Sequence, residues 1–92
     1  MLFAIHAIDA PDAQRSQHYD AHKAHLKRTD DYGVTLVIGG PLLGADGIST
    51  VGSLMVFEAS DLASVQRYNA DDPFRKSGVW RNVHIAHFFR KT

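Results

Sequence analysis

The hydrophobic pattern along this chain switches between two periods. From Leu2 to Ile8 strand formers fall on both alternating faces, Phe3, Ile5 and Ala7 on one and Leu2, Ala4 and Ile8 on the other, with His6 the exception. A strand that is apolar on both sides has to be covered on both sides. Asp9-Ala10-Pro11-Asp12 then reads as a helix start, with an Asx cap, a proline in the first turn and an acid near the positive end of the helix dipole. This predicts a helix from about Pro11 to Asp31, closed at Tyr32-Gly33, where glycine can take the left-handed conformation.

Val34 to Gly39 is an unbroken, β-branched run and predicts a buried strand ended by Gly40-Pro41. Leu42 to Thr50 predicts a loop. Val51 to Glu58 sets Ser53, Met55 and Phe57 against Leu54, Val56 and Glu58, a third strand with neither face wholly polar. Ser60 is placed to cap a second helix from Asp61 to about Asn69, whose Leu62, Val65 and Tyr68 recur at helical spacing. Asp72-Pro73 halts it, because the residue before proline is pushed out of the α region. Val83 to Phe89 alternates again and predicts a last strand.

The order β-α-β-β-α-β is the split βαβ plan, an α+β, ferredoxin-like fold with one antiparallel sheet and both helices on a single face. Two-sided apolar strands are at odds with a bare second face. The simplest resolution is a homodimer in which a second copy covers it, sheet on sheet.

Length and composition limit what such a domain can do. The 92 residues predict a single domain that buries only about 60% of its unfolded surface, so a partner subunit would help it. Ten Lys and Arg balance ten Asp and Glu, and no basic run stands out, which argues against nucleic acid or an anionic membrane as partner. There is no cysteine, which excludes disulfides, thiolate metal sites and cysteine nucleophiles and is compatible with a reducing cytoplasm. The N-terminal apolar run is short and lacks a basic n-region, so it is expected to be a strand and not a signal peptide. No apolar run reaches the ~18 residues of a membrane span.

Chemistry concentrates on the first helix. His18, His22 and His25, spaced i, i+4 and i+7, fall within about 60° of one helix face, where an apolar stripe would be expected. Each could be a half-buried imidazole with no further role. A pair at i and i+4 can share a metal ion, but Lys23 and Arg28 occupy the positions where a carboxylate ligand would help, so no metal and no cofactor are expected. General acid/base work is the third option, and it needs an acceptor to orient the second ring nitrogen. Asp72, fixed ahead of Pro73 and beside Phe74, can supply it, or can simply cap the turn after it. Gly39-Gly40-Pro41 is either a strand terminator or a close backbone approach to a bound molecule. Ser53 is either a core hydroxyl or a substrate contact.

Several of these residues together resemble the YCII-related domain family: a first strand ending in Asp9, a helix carrying His25-Leu26, the Gly39-Gly40-Pro41 turn, Gly52 in the third strand, and Asp72-Pro73-Phe74 with Gly78-Val79 downstream. The resemblance implies a ferredoxin-like fold, dimers formed through the sheets as in the dimeric α+β barrels, and a His-Asp pair as active centre, carried here by His25 and Asp72. Where activity is assigned in that family it is elimination of chloride from chlorinated hydroxyhydroquinones. One position departs: the family helix usually reads Arg-x-x-His-Leu, and His22 stands where that arginine is expected. A guanidinium holds an anion as a fixed, bidentate charge, whereas histidine does so only when protonated.

The resulting expectation is a small cofactor-independent enzyme, lyase-like or hydrolase-like, acting on a small polar or aromatic molecule. His25 is the expected general acid/base and Asp72 its orienting carboxylate, with His22, Gly40, Pro41, Ser53 and Phe74 lining the substrate pocket. The competing expectation is a non-catalytic ligand-binding or dimerisation module, in which the His-Asp pair is only a structural hydrogen bond.

Overall fold

A computed structural model describes residues 1–92. Four strands, β1 (Leu2–Asp9), β2 (Val34–Leu43), β3 (Thr50–Ala59) and β4 (Trp80–Phe88), form one sheet in the order β2-β3-β1-β4. Every neighbouring pair is antiparallel. The helices are α1 (Arg15–Leu26), α2 (Leu62–Ala70) and the single turn α3 (Pro73–Lys76), and a 3₁₀ turn (Thr29–Tyr32) joins α1 to β2. This is the small α+β, ferredoxin-like arrangement expected from the order of elements.

Strand register decides which residues meet the helices. Phe3, Ile5 and Ala7 of β1 stand opposite Phe57, Met55 and Ser53 of β3, and all six are buried. Val65 and Tyr68 of α2 and Phe74 of α3 pack on them, which completes the core with Val34, Val79 and Trp80. The other face carries Leu2, Ala4 and Ile8 of β1 with Leu54 and Val56 of β3, half-buried or exposed because no helix covers them. The two-sided apolar character of the strands is therefore met by helices on one side only.

Local chemistry moved several boundaries. Helix α1 starts at Arg15 and not near Pro11, because Asp9 does not cap it: its carboxylate is taken by Arg15 instead. Helix α2 is capped by Asp61 and not by Ser60, the Asp61 side chain accepting from the Ser64 N–H. Both the Ser64 hydroxyl and that N–H hold the Asp61 carboxyl below its usual range. Strand β2 does not end at Gly40-Pro41 but runs on to Leu43. As an edge strand it tolerates a proline, whose missing N–H interrupts no central ladder.

A bulge in β2 reshapes the helix-facing side of the sheet. Leu36 pairs with Phe57 and Ile38 with Val56, so Val37 is an extra residue and the inward parity slips by one. Gly39 and Pro41, opposite Met55 and Ser53, consequently take the helix-facing positions, while Ile38 is turned out and 67% exposed. A hollow opens where a large side chain would otherwise lie.

Candidate active site

Helix α1 crosses that hollow and presents Arg15, Tyr19, His22 and Leu26 to it, a stripe at i, i+4, i+7 and i+11. With Gly39, Gly40 and Pro41 of β2 and Thr50, Ser53 and Met55 of β3 they enclose an open cavity of about 600 Å³. Its volume suits a small ring compound with room for solvent. Gly39 holds the floor open: a Cβ there would lie 3.1 Å from Met55 Cγ and 3.3 Å from Leu36 Cδ1.

His22 stands in the cavity wall with its other edge anchored. Its Nδ1 lies 2.8 and 3.0 Å from the two Asp72 carboxylate oxygens. Since a carboxylate only accepts, Nδ1 carries the proton and donates it, which leaves Nε2 as the lone-pair nitrogen. Nε2 bonds to no group of the protein. The ring is stacked on Phe74 at 4.1 Å and meets Trp80 edge-on, so it cannot swing.

Asp72 is fully buried and doubly used. Its Oδ1 also accepts the Phe74 backbone N–H at 2.9 Å, which caps α3, and the helix starts there because Pro73 fits its first turn. The two local options for Asp72, cap and orienting carboxylate, are thus both realised by one side chain. The cap fixes the carboxylate that fixes the imidazole.

The pairing of His25 with Asp72 has to be corrected. His25 does not border the cavity: its Nε2 donates to the Tyr68 backbone carbonyl at 2.8 Å and its ring stacks on Tyr68 at 4.3 Å. The reason is one of helical angle, since a residue three positions beyond His22 is rotated by roughly 60° toward α2. Tyr68 returns the contact by donating its hydroxyl to the His25 carbonyl at 3.3 Å. Burial, helped by the charge of Asp72, pushes the Tyr68 phenol above its usual range and keeps it a donor. Phe74 also falls outside the cavity; fully buried, it backs His22. His22, Gly40, Pro41 and Ser53 do line it. His18 is half-buried at a separate small hollow with Asp12, Gln14 and Ser77. No group of three or more His, Asp or Glu side chains is arranged to hold a metal ion.

Arg15 was not among the expected residues. Its Nη1 donates to both Asp9 oxygens at 3.0 Å, its Nη2 donates to Ser53 Oγ at 3.0 Å, and its guanidinium lies 4.7 Å from the Phe74 ring centre. Nε–H and one Nη2 hydrogen make no bond to the protein, on a side chain that lines the cavity and is held by these contacts. The signal was present at i−7 from His22 on the same helix face. Lys23, with its Nζ 4.9 Å from the centre of the Tyr19 ring, adds a second cation to the wall, which has no Asp or Glu.

A four-stranded antiparallel sheet with this helix cover defines a small α+β class, and within it the match is specific. Residues 1–89 fit the model of the YCII-related domain, and the chain belongs to that family. It is similar to the 5-chloro-2-hydroxyhydroquinone dehydrochlorinase TftG from Burkholderia phenoliruptrix AC1100, solved in complex with 2,5-dihydroxybenzoquinone. The identity is 30% over 99% of this chain and 96% of that one, with a TM-score of 0.86. The protein At3g17210 from Arabidopsis thaliana shares the fold alone, at 8% identity and a TM-score of 0.60 over 99% of this chain and 95% of that one. No curated protein matches the sequence.

Proposed function

We propose that this protein is a cofactor-independent enzyme that eliminates a leaving group, halide in the nearest chemical case, from a small hydroxylated ring, with His22 as general base. The observation that carries this is the free Nε2 of His22 at the wall of an open cavity while Nδ1 is committed to a buried carboxylate. The likeness to a dehydrochlorinase supports the reaction class.

The chemistry follows from the groups present. In the ring tautomer whose halogen-bearing carbon is saturated, Nε2 takes the proton of a ring hydroxyl conjugated to that carbon. The O–H pair becomes a ring carbonyl, the neighbouring double bond shifts by one position, and the halide departs with its bonding pair. The product is a quinone, and the proton on His22 passes to water. Asp72 stabilises the imidazolium formed, and such a positioned base contributes typically ~10²–10⁴-fold. In this reading the free N–H groups of Arg15 and the Ser53 hydroxyl bind the ring oxygens as charge builds on them, which is supported by both residues lining the cavity.

We also infer that two copies pair through the open sheet faces. Support comes from the apolar row Leu2, Ala4, Ile8, Leu54, Val56 and Phe88, which no helix of the same chain covers.

The test is anaerobic incubation with 5-chloro-2-hydroxyhydroquinone, following free chloride, alongside titration with 2,5-dihydroxybenzoquinone. Stoichiometric chloride release that is lost in His22→Ala supports the elimination. Quinone binding without turnover favours a binding module, and neither binding nor turnover ends the proposal for this substrate class.

A further inference from the structure

The basic side chains of the cavity wall, Arg15, His22 and Lys23, all come from α1, but they are not balanced alike. Arg15 is matched by Asp9, both of whose carboxylate oxygens lie 3.0 Å from its Nη1. His22 is backed by Asp72, which is fully buried behind the imidazole and does not border the cavity. Lys23 lines the cavity with no acid beside it: the ion pairs of the chain are Arg15–Asp9, His22–Asp72 and Arg28–Asp31. Asp20, three residues earlier on α1, makes no ion pair and is not part of the wall.

The Lys23 ammonium rests 4.9 Å from the centre of the Tyr19 ring. Tyr19 is itself a wall residue, so this contact keeps the charge at the edge of the cavity. A cation over a phenol face at an exposed position gains little, and an anion displaces the contact readily. Arg15 and Lys23 stand eight residues apart, about 12 Å along the helix axis. Leu26, Leu36 and Met55 supply apolar surface for a flat ring between them.

We propose that the cavity prefers rings that carry a negative charge, and that Lys23 is the specificity residue that reads it. The inference rests on the cavity as the ring-binding site and names the class of ring it takes. The recognised chemistry is an oxyanion borne by the ring, with two sources. A hydroxyl conjugated to a ring carbonyl is a vinylogous acid and is ionised at neutral pH, as is a carboxyl substituent. Hydroquinone hydroxyls are phenols, which titrate near ~10 and stay neutral. Asp72 also carries a negative charge, but it acts on a ligand only through the imidazole, whereas the ammonium meets the ligand directly.

The test is calorimetric titration at neutral pH and low salt with 2,5-dihydroxybenzoquinone, 2,5-dihydroxybenzoate and hydroquinone. Wild type is compared with Lys23→Met, Lys23→Arg and Lys27→Met. Lys23 is exposed and methionine keeps much of its aliphatic stem, so the variant folds. Lys27 lies outside the cavity and controls for the loss of a remote charge. In wild type an anionic ring should bind more tightly than hydroquinone. Lys23→Met should weaken that anion by about fivefold and hydroquinone by less than about twofold. Lys23→Arg should restore the anion, Lys27→Met should change nothing, and added salt should narrow the gap. A Lys23 effect on the quinone alone supports the proposal with the conjugated hydroxyl as source, and an effect on the benzoate alone supports it with the carboxylate. Unchanged anion binding in Lys23→Met, an equal loss for hydroquinone, or no binding of either anion to wild type at millimolar concentration overturns it. Absence of chloride release alongside the expected binding pattern removes the elimination and leaves this inference standing.

Discussion

The His22 imidazole and the Asp72 carboxylate meet at 2.8 Å across fifty residues of sequence, one on the cavity wall and the other fully buried behind it. Asp72→Asn keeps the shape and removes the charge. The amide oxygen can still accept from Nδ1, so the chain should fold, but the imidazolium loses its counter-charge. The expected kcat falls by about 10²-fold or more with KM little changed. Asp72→Ala goes further, orphaning both the His22 Nδ1–H and the Phe74 N–H, and should lower stability by about 1–3 kcal/mol in urea unfolding.

His25 should behave in the opposite way. Its Nε2 bonds the Tyr68 carbonyl and its ring fills the space between Tyr68 and Tyr32. His25→Ala is expected to cost about 2 kcal/mol of stability through the lost bond and contact, while turnover of the folded fraction stays within a few-fold of wild type. Thermal unfolding and kcat measured on the same preparation separate the two effects.

The proposed function has Arg15 anchor a substrate oxygen, which requires that Asp9 and Ser53 hold its fork in place. Arg15→Lys keeps the charge and loses the planar pair of donors, so KM should rise at least tenfold with a smaller fall in kcat. Asp9→Asn, which never touches the cavity, should raise KM in the same direction through loss of the ion pair that orients Arg15.

Two glycines of the sheet give contrasting outcomes. A side chain at Gly52 would overlap the Ala7 carbonyl oxygen of the neighbouring strand, so Gly52→Ala must push β1 and β3 apart and should destabilise at the upper end of the ~1–3 kcal/mol typical of overpacking. At Gly39 the obstacles are the movable tips of Met55 and Leu36. Gly39→Ala should therefore fold but intrude on the cavity, raising KM without a matching loss of stability.

Acid stability has a local signature in the β2–β3 loop. The Asp46 carboxyl, held by the Ser49 hydroxyl and the N–H groups of Ile48 and Ser49, is pulled down to about 2. A carboxyl depressed in the folded state adds stability that is fully present above its unfolded value near ~3.9 and is lost as pH falls toward 2. Asp61, depressed at the α2 cap, acts in the same direction. Asp46→Asn should flatten the pH dependence of unfolding below pH 4 and leave it unchanged at neutral pH.

The α+β plan was legible because each element announced itself by period: two-sided apolar strands, and Leu62, Val65 and Tyr68 at helical spacing. The presence of Asp72 in the site was legible too, since proline fixes its backbone. Which histidine it meets was not, because His22 and His25 lie about 60° apart on α1 and a small rotation of the helix against α3 decides between them. The family helix pattern pointed to His25, and the packing of Phe74 and Trp80 selects His22. Arg15 was hidden by the misplaced helix start: with Asp9 read as a cap, its carboxylate was already spent. The cavity itself depends on a bulge at Val37, and no residue pattern marks where the ladder slips.

The most direct measurement is chloride release from 5-chloro-2-hydroxyhydroquinone by His22→Gln and His25→Gln proteins, each shown folded by circular dichroism. The geometry predicts loss of about 10²–10⁴-fold in kcat for His22→Gln and near wild-type turnover for His25→Gln. Turnover that survives in His22→Gln and disappears in His25→Gln would contradict the assignment of the base.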